Sequence, residues 1–285
     1  MSQILYIPRI GQRASFNHPI NRGLLGWWPL DEGSTSSVRN IANETRGKYN
    51  GVLDSGVSWE QTSLGNASYF DGSKNEITLS NFSPDNIGLT GTKNFTSCAW
   101  FKYINESSLN SNGYIFTNAN AGTISWRVIK TSGNMDFFLN YFGSPAYNAN
   151  LSLGLTEQVW YFGCMTYDGE YVRFYIDGIK VLEDSYTQTL NARTSSIFQV
   201  GGTGDSTRPF AGNIQNMRFF NRTLYQNEIT ELYTNPWVGL QPLTTSTRYF
   251  YFPPRPLSET IGTFKMRNLS FTPKSGGRTI IRKPS

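Results

Sequence analysis

The sequence predicts an all-β sandwich of two packed antiparallel sheets, and three observations carry that reading. Apolar and polar residues alternate in short runs, as in Val172-Arg173-Phe174-Tyr175-Ile176-Asp177. Asp-Gly pairs at Asp168-Gly169, Asp177-Gly178 and Asp71-Gly72 end such runs. Glycine accepts the positive φ of a tight hairpin loop at no steric cost. Helical periodicity is nearly absent. Strands at this spacing, punctuated by turn residues, indicate a sandwich.

The elements follow in order. Gly26-Trp27-Trp28-Pro29-Leu30 opens the domain, and Tyr69-Phe70-Asp71-Gly72 ends an early strand. Phe95-Thr96-Ser97-Cys98-Ala99-Trp100-Phe101 is a long apolar strand. Trp160-Tyr161-Phe162-Gly163-Cys164-Met165-Thr166-Tyr167 turns at Asp168-Gly169 into Arg173-Phe174-Tyr175-Ile176, and Asp177-Gly178 turns that strand into Ile179-Lys180-Val181-Leu182. Ile124 and Val128 around Trp126 read as a core strand. The closing strand is Ala211-Gly212-Asn213-Ile214-Gln215-Asn216-Met217-Arg218-Phe219-Phe220. After it, Ile229, Leu232 and Tyr233 share one helical face until Pro236 stops the helix.

These segments, in this order, resemble a laminin-G-like (concanavalin A-like) jelly roll over residues 22–237. The resemblance implies that the first and last strands lie together and that the short helix belongs to the pattern. It also implies that Trp27, Trp28, Trp100 and Trp160 hold structural positions. It says little about activity, because one sandwich carries lectins, glucanases, adhesion modules and virion proteins.

Composition bounds the reading. The chain has 285 residues, 15% of them aromatic, enough for one large sandwich plus extensions. No apolar run is long enough to span a bilayer, which speaks against a membrane partner. No signal peptide is visible at the start, and the Asn-x-Ser/Thr sequons reflect an Asn- and Ser-rich composition. Cys98 and Cys164 make no disulfide framework. They read as buried and reduced, with a bridge open to them if their strands are neighbours.

The net charge of +5 is unevenly spread: +2 on residues 1–21, +7 on residues 238–285, and therefore −4 on the sandwich between. The domain organisation expected is an N-terminal arm over 1–21, a jelly roll over 22–237 and a basic, aromatic C-terminal arm over 238–285. Basic tails imply nucleic acid, an anionic surface or an acidic protein. Here the charges stand singly among aromatics, which argues against nucleic acid. A partner-binding surface is expected at Arg248, Tyr249, Phe250, Tyr251, Phe252, Arg255 and Phe264.

The whole layout, from the lead His18-Pro19-Ile20-Asn21-Arg22 through the sandwich to Leu232-Tyr233-Thr234-Asn235-Pro236-Trp237 and the tail, resembles phage-encoded virion structural proteins. That resemblance implies a particle-surface protein, assembled in the host cytoplasm and present in multiple copies or as a homo-oligomer. Its partner would be a major capsid protein or another virion protein, with capsid decoration or cementing as its role. The alternative is a tail, neck or fibre component whose lectin-like domain reads a host surface glycan.

Catalysis is not expected. Glucanases on this sandwich use a Glu-x-Asp-x-Glu strand, and no such string exists. His18 is the single histidine and lies in the lead segment, so no Ser-His-Asp set is in view. No cofactor is implied. Structural calcium, as held by related sandwiches, would draw on Asp31, Asp71 and Asp205 near strand ends. Glycan binding would use an aromatic platform beside amides, with Tyr141, Tyr147 and Asn148 as candidates.

Overall fold

The computed structural model of the chain describes residues 12–42, 45–73, 75–104, 112–118, 123–140, 145–190, 197–203 and 208–241, and the backbone of 265–266 and 269–270. The chain divides into a unit ending at Gln241 and a second unit from Pro242 to Ser285. In the second, Lys265–Met266 pairs antiparallel with Leu269–Ser270. Everything below concerns the first.

Its strands in chain order are β1 (Leu24–Trp28), β2 (Ser37–Val38), β3 (Gly51–Leu53), β4 (Val57–Thr62), β5 (Gly65–Asp71), β6 (Ile77–Leu79), β7 (Phe95–Tyr103) and β8 (Asn112–Asn118). They continue as β9 (Ile124–Ile129), β10 (Asn134–Leu139), β11 (Tyr147–Leu151), β12 (Tyr161–Tyr167), β13 (Tyr171–Ile176), β14 (Ile179–Ser185), β15 (Phe198–Val200) and β16 (Ala211–Phe220). Helix α1 spans Gln226–Thr234.

One sheet runs β14-β13-β12-β7-β16-β5-β4, with β1 also on β16; the other runs β11-β10-β9-β8-β15-β6-β3-β2. Every pairing is antiparallel, and β1 pairs with β16 through Trp27 opposite Arg218 and Trp28 opposite Met217. The ends of the sandwich are thus together, as the resemblance implies. The Asp177-Gly178 turn has φ of 51° and 78°, positive at both central residues as a hairpin of this kind requires.

The inter-sheet core is aromatic. Phe82 lies 4.9 Å from Trp28, 5.4 Å from Phe198 and 5.4 Å from Phe219, centroid to centroid. A second apolar cluster lies on the outer side of the β7 sheet. It joins Trp27, Cys98, Trp100, Phe162 and Cys164 to Ile229 and Leu232 of α1 and to Ala14, Ile20 and Trp237. Strand β7 is therefore buried on both faces, with Ala99 and Phe101 turned to the core and Cys98 and Trp100 beneath the helix.

That cluster needs the chain's own lead and exit to cover it. Ala14 bridges Leu240, Ser15 N–H donates to the Gly239 carbonyl at 2.6 Å, and Gln241 N–H donates to the Arg13 carbonyl at 2.7 Å. Arg218 fastens this clasp. It is buried at 1% exposure, its Nη2 donates to the Pro236 carbonyl at 2.6 Å and its Nη1 to that of Val238 at 3.1 Å. Its guanidinium carbon sits 3.6 Å from the Trp27 ring centroid. Burial lowers its pKa to about 9, so it stays charged at neutral pH. Asn216, at φ 55° in an irregular stretch of β16, accepts the Trp27 indole N–H at 2.7 Å and donates to the Pro236 carbonyl.

Candidate functional site

A cleft opens where that cover stops. Val172, Phe174 and Ile176 of β13 face the inter-sheet core, so alternation turns Tyr171, Arg173 and Tyr175 outward. Arg173 donates through Nη1 to Asp168 at 2.5 Å and through Nε to Glu183 at 2.6 Å. Its guanidinium lies 5.0 Å from the ring of Tyr171, which is 39% exposed. Lys180 donates to the same Glu183 carboxylate at 2.8 Å. Burial opposes ionisation of Asp168, but Arg173 and the amides of Tyr171 and Glu170 outweigh it and hold the carboxyl below its usual range. Lys180 and Arg173 do the same for Glu183.

The facing wall is the turn from β16 into α1. Asn221 N–H donates to the Gly23 carbonyl at 2.9 Å. Arg222 makes a two-pronged pair with Glu228 at 2.8 and 2.6 Å and donates to the Arg22 carbonyl at 2.6 Å. Thr96 Oγ1 accepts from Leu224 N–H and donates to the Arg222 carbonyl, and Thr223 Oγ1 donates to the Tyr167 carbonyl at 2.6 Å. Tyr225, the residue before α1, donates its N–H to Glu228 at 2.9 Å, which frees the side chain to project at 75% exposure. Gln226 ties the helix to the Gly178 carbonyl at 2.7 Å.

Between these walls is a cleft of about 540 Å³ lined by Asn94, Asp168, Arg173, Asn221, Tyr225 and Gln226, among others. One exposed tyrosine ring, that of Tyr225, two asparagine amides, a glutamine and two guanidinium groups converge on it. Each guanidinium is balanced by carboxylates, so the cleft suits a neutral, hydroxyl-rich ligand with one apolar face.

The residues expected from the sequence fall elsewhere. Tyr147 and Asn148 are successive in β11 and point to opposite sides of the sheet. Tyr147 packs in the core beside Tyr186, 5.5 Å away, and donates to Asp184 at 2.8 Å, so its ring is no platform. Burial, then that carboxylate, push its hydroxyl pKa well up. Asn148 is exposed, opposite Phe138, whose ring is only 5% exposed. Tyr141 lies outside the described residues.

The calcium candidates do not converge. Asn66 near the start of β5 reaches the Asp31 carbonyl at 3.5 Å, whereas Asp71 ends that strand. Five residues of strand separate them, about 17 Å, against the 2.3–2.6 Å of calcium ligation. Asp71 Oδ1 instead accepts from the Ser73 amide and hydroxyl at 2.8 and 2.6 Å, holding a turn. Among the described residues no group of three or more His, Cys, Asp or Glu could hold a metal. Asp205 lies outside them, as do Arg248, Tyr249, Phe250, Tyr251, Phe252, Arg255 and Phe264.

Sequence reading missed the cleft because its residues served there as fold landmarks. The signal was present: alternation in β13 places Arg173 outward, and the helix pattern starts on an aromatic, Tyr225, at a position with no core to enter.

No curated protein matches the chain in sequence. Among solved structures, the chain is similar to domain 4 of an extracellular arabinanase from Geobacillus stearothermophilus, determined in complex with arabinotriose. The TM-score is 0.56 at 16% identity, covering 73% of this chain and 97% of that one. It is similar to the binding domain of botulinum neurotoxin DC in complex with SialylT, with TM-score 0.56, 12% identity and 75% of this chain covered. It is also similar to the binding domain of Paraclostridial Mosquitocidal Protein 1, with TM-score 0.57, 13% identity and 75% covered. The chain spans about half the length of each of these two toxin domains, 52% in both cases. The family model for concanavalin A-like lectins and glucanases matches residues 71–230, more than half of the sequence. With that match laid over a two-sheet jelly roll closed by β1 on β16, the chain belongs to the concanavalin A-like lectin/glucanase superfamily.

Proposed function

We propose that the sandwich is a non-catalytic glycan-binding module that takes a neutral sugar in the cleft beside α1. The observation that carries this is Tyr225, three-quarters exposed at the mouth of a polar cleft. A pyranose or furanose ring lays its C–H face on such a ring and gives its hydroxyls to Asn94, Asn221, Gln226 and the unused guanidinium N–H groups. The similar arabinanase domain was determined in complex with arabinotriose and the DC neurotoxin domain in complex with SialylT, which supports the reading. Binding without hydrolysis fits the carboxylates: Asp168 is held ionised by Arg173, and Glu183 by Lys180 and Arg173, so neither is a proton donor at neutral pH. A glycan array followed by calorimetry tests this. Tyr225→Ala is expected to weaken the best ligand about 5- to 30-fold, the stacking area being worth roughly 1–2 kcal/mol; unchanged affinity would remove the cleft from consideration.

A second reading concerns where the module works. We infer that it belongs to a virion, with residues 242–285 as its anchor on a capsid or other virion protein. The separation of a basic terminal unit from the sandwich at Gln241 favours this. A chain ending at Gln241, which keeps the Arg13–Gln241 bond, is expected to lose co-sedimentation with particles. Full occupancy by that shortened chain would place the anchor on the sandwich instead.

A further inference from the structure

Cys98 and Cys164 lie directly opposite each other on the neighbouring strands β7 and β12. Opposite residues in an antiparallel pair either exchange backbone hydrogen bonds or do not, and only the second kind brings Cα atoms to about 4.5 Å. Two bonds outside the pair decide which kind this is. Asp177 N–H donates to the Phe162 carbonyl at 2.9 Å, which aims the backbone of Phe162, Cys164 and Thr166 at β13. Ile104 N–H donates to the Ala211 carbonyl at 2.9 Å, which aims the backbone of Lys102, Trp100 and Cys98 at β16. Neither cysteine therefore spends its backbone groups on the other's strand, and the two form a close, non-hydrogen-bonded pair. Both side chains lie on the same side of the sheet, in the cluster beneath α1. The spacing falls within the roughly 4.4–6.8 Å that disulfides span.

We propose that Cys98 and Cys164 form a cross-strand disulfide when the chain folds in the presence of a small-molecule disulfide. Both are free thiols in the reduced form described here. In the reaction each loses its S–H bond and one S–S bond forms. The two electrons reduce oxidised glutathione, whose S–S bond breaks, and the two protons go to the glutathione thiols released. Exchange passes through a mixed disulfide and requires a thiolate. With exposures of 1% and 0%, and with burial pushing the Cys164 thiol well up, the folded reduced protein exchanges slowly, so the step belongs to folding. The bond would join β7 to β12 in the middle of the sheet, under the helix.

The full chain, reduced and denatured, is refolded in mixed reduced and oxidised glutathione. The folded fraction is isolated by size exclusion, denatured, and treated with N-ethylmaleimide before mass analysis. The expected result is no maleimide adduct, a mass lower by two hydrogens, and a peptide linking Cys98 to Cys164. A folded fraction with two adducts, a glutathionylated cysteine or an interchain dimer would each overturn the proposal. Folded reduced protein placed in the same buffer is expected to keep both thiols over times in which refolding oxidises them; equal rates would overturn the assignment of the step to folding.

Discussion

Replacing Asp31 with Asn should stabilise the domain at neutral pH and flatten its response to acid. Asp31 follows β1 by three residues, its Oδ1 is buried without a hydrogen-bond partner, and Glu32 stands beside it. Burial first, then the charge of Glu32, push its carboxyl up from 3.8 to about 7, against the weaker pull of Arg39, and Glu32 is itself raised by burial. The folded state thus binds a proton more tightly than the unfolded chain. Between about pH 4 and pH 7 the folded protein holds more protons, so stability falls as pH rises through that window. At about 1.36 kcal/mol per pKa unit, ionised Asp31 costs up to about 4 kcal/mol above pH 7. An amide of the same shape carries no charge to desolvate. Allowing for its own imperfect hydrogen bonding, Asp31→Asn should gain about 2–4 kcal/mol at pH 8 and nothing at pH 4. In a domain of this size each kcal/mol moves the melting temperature by about 2–4 °C. Urea and thermal unfolding of both proteins from pH 4 to pH 8 supply the test. Parallel curves at all pH values would show that Asp31 is solvated and the reasoning wrong.

Arg218→Met keeps the volume but strands the Val238 carbonyl and leaves that of Pro236 to Asn216 alone, so a loss of about 2–4 kcal/mol is expected by urea unfolding. Faster proteolysis near Val238 should accompany it. The Cys98–Cys164 bridge should raise the stability of the oxidised form by about 4 kcal/mol for a loop of this length, read as a shift in urea midpoint between oxidised and reduced protein. Asn221→Ala, with its backbone bond to Gly23 intact, should weaken glycan binding without moving the melting temperature.

Local patterns made the strands legible. Alternation in β13 and the Asp177-Gly178 turn depend on near neighbours, and both appear as expected. The clasp between residues 12–15 and 236–241 joins positions more than two hundred residues apart through single backbone bonds, and no local pattern reports such a contact. The parity shared by Cys98, Trp100, Phe162 and Cys164 was readable, but the side they occupy was not. A strand apolar on both faces has two candidate cores, and only the position of α1 decides between them. The cleft was hidden for a related reason: its walls come from β13 and from the turn after β16, which sequence treats as separate landmarks.

The position of the cleft follows from a change of polarity along the outer face of one sheet. The cross-strand row Tyr175–Cys164–Cys98–Arg218–Trp27 lies beneath the helix and the clasp, and the next row towards the sheet's middle, Phe162–Trp100–Gln215, is apolar at two of its three positions. Left bare, these rings would be an exposed apolar patch of the kind soluble proteins avoid. One row in the other direction the sheet reads Glu183–Arg173–Thr166–Thr96–Phe220, mostly polar, and there the helix has not yet begun. The chain covers what must be covered and starts α1 at the boundary, so Tyr225 stands at the edge of the cover with polar groups on one side. The cover's boundary and the cleft are thus consequences of the same alternation. Making the polar row apolar, as in Thr96→Val, should perturb the cleft by releasing Leu224 N–H and the Arg222 carbonyl from their shared hydroxyl.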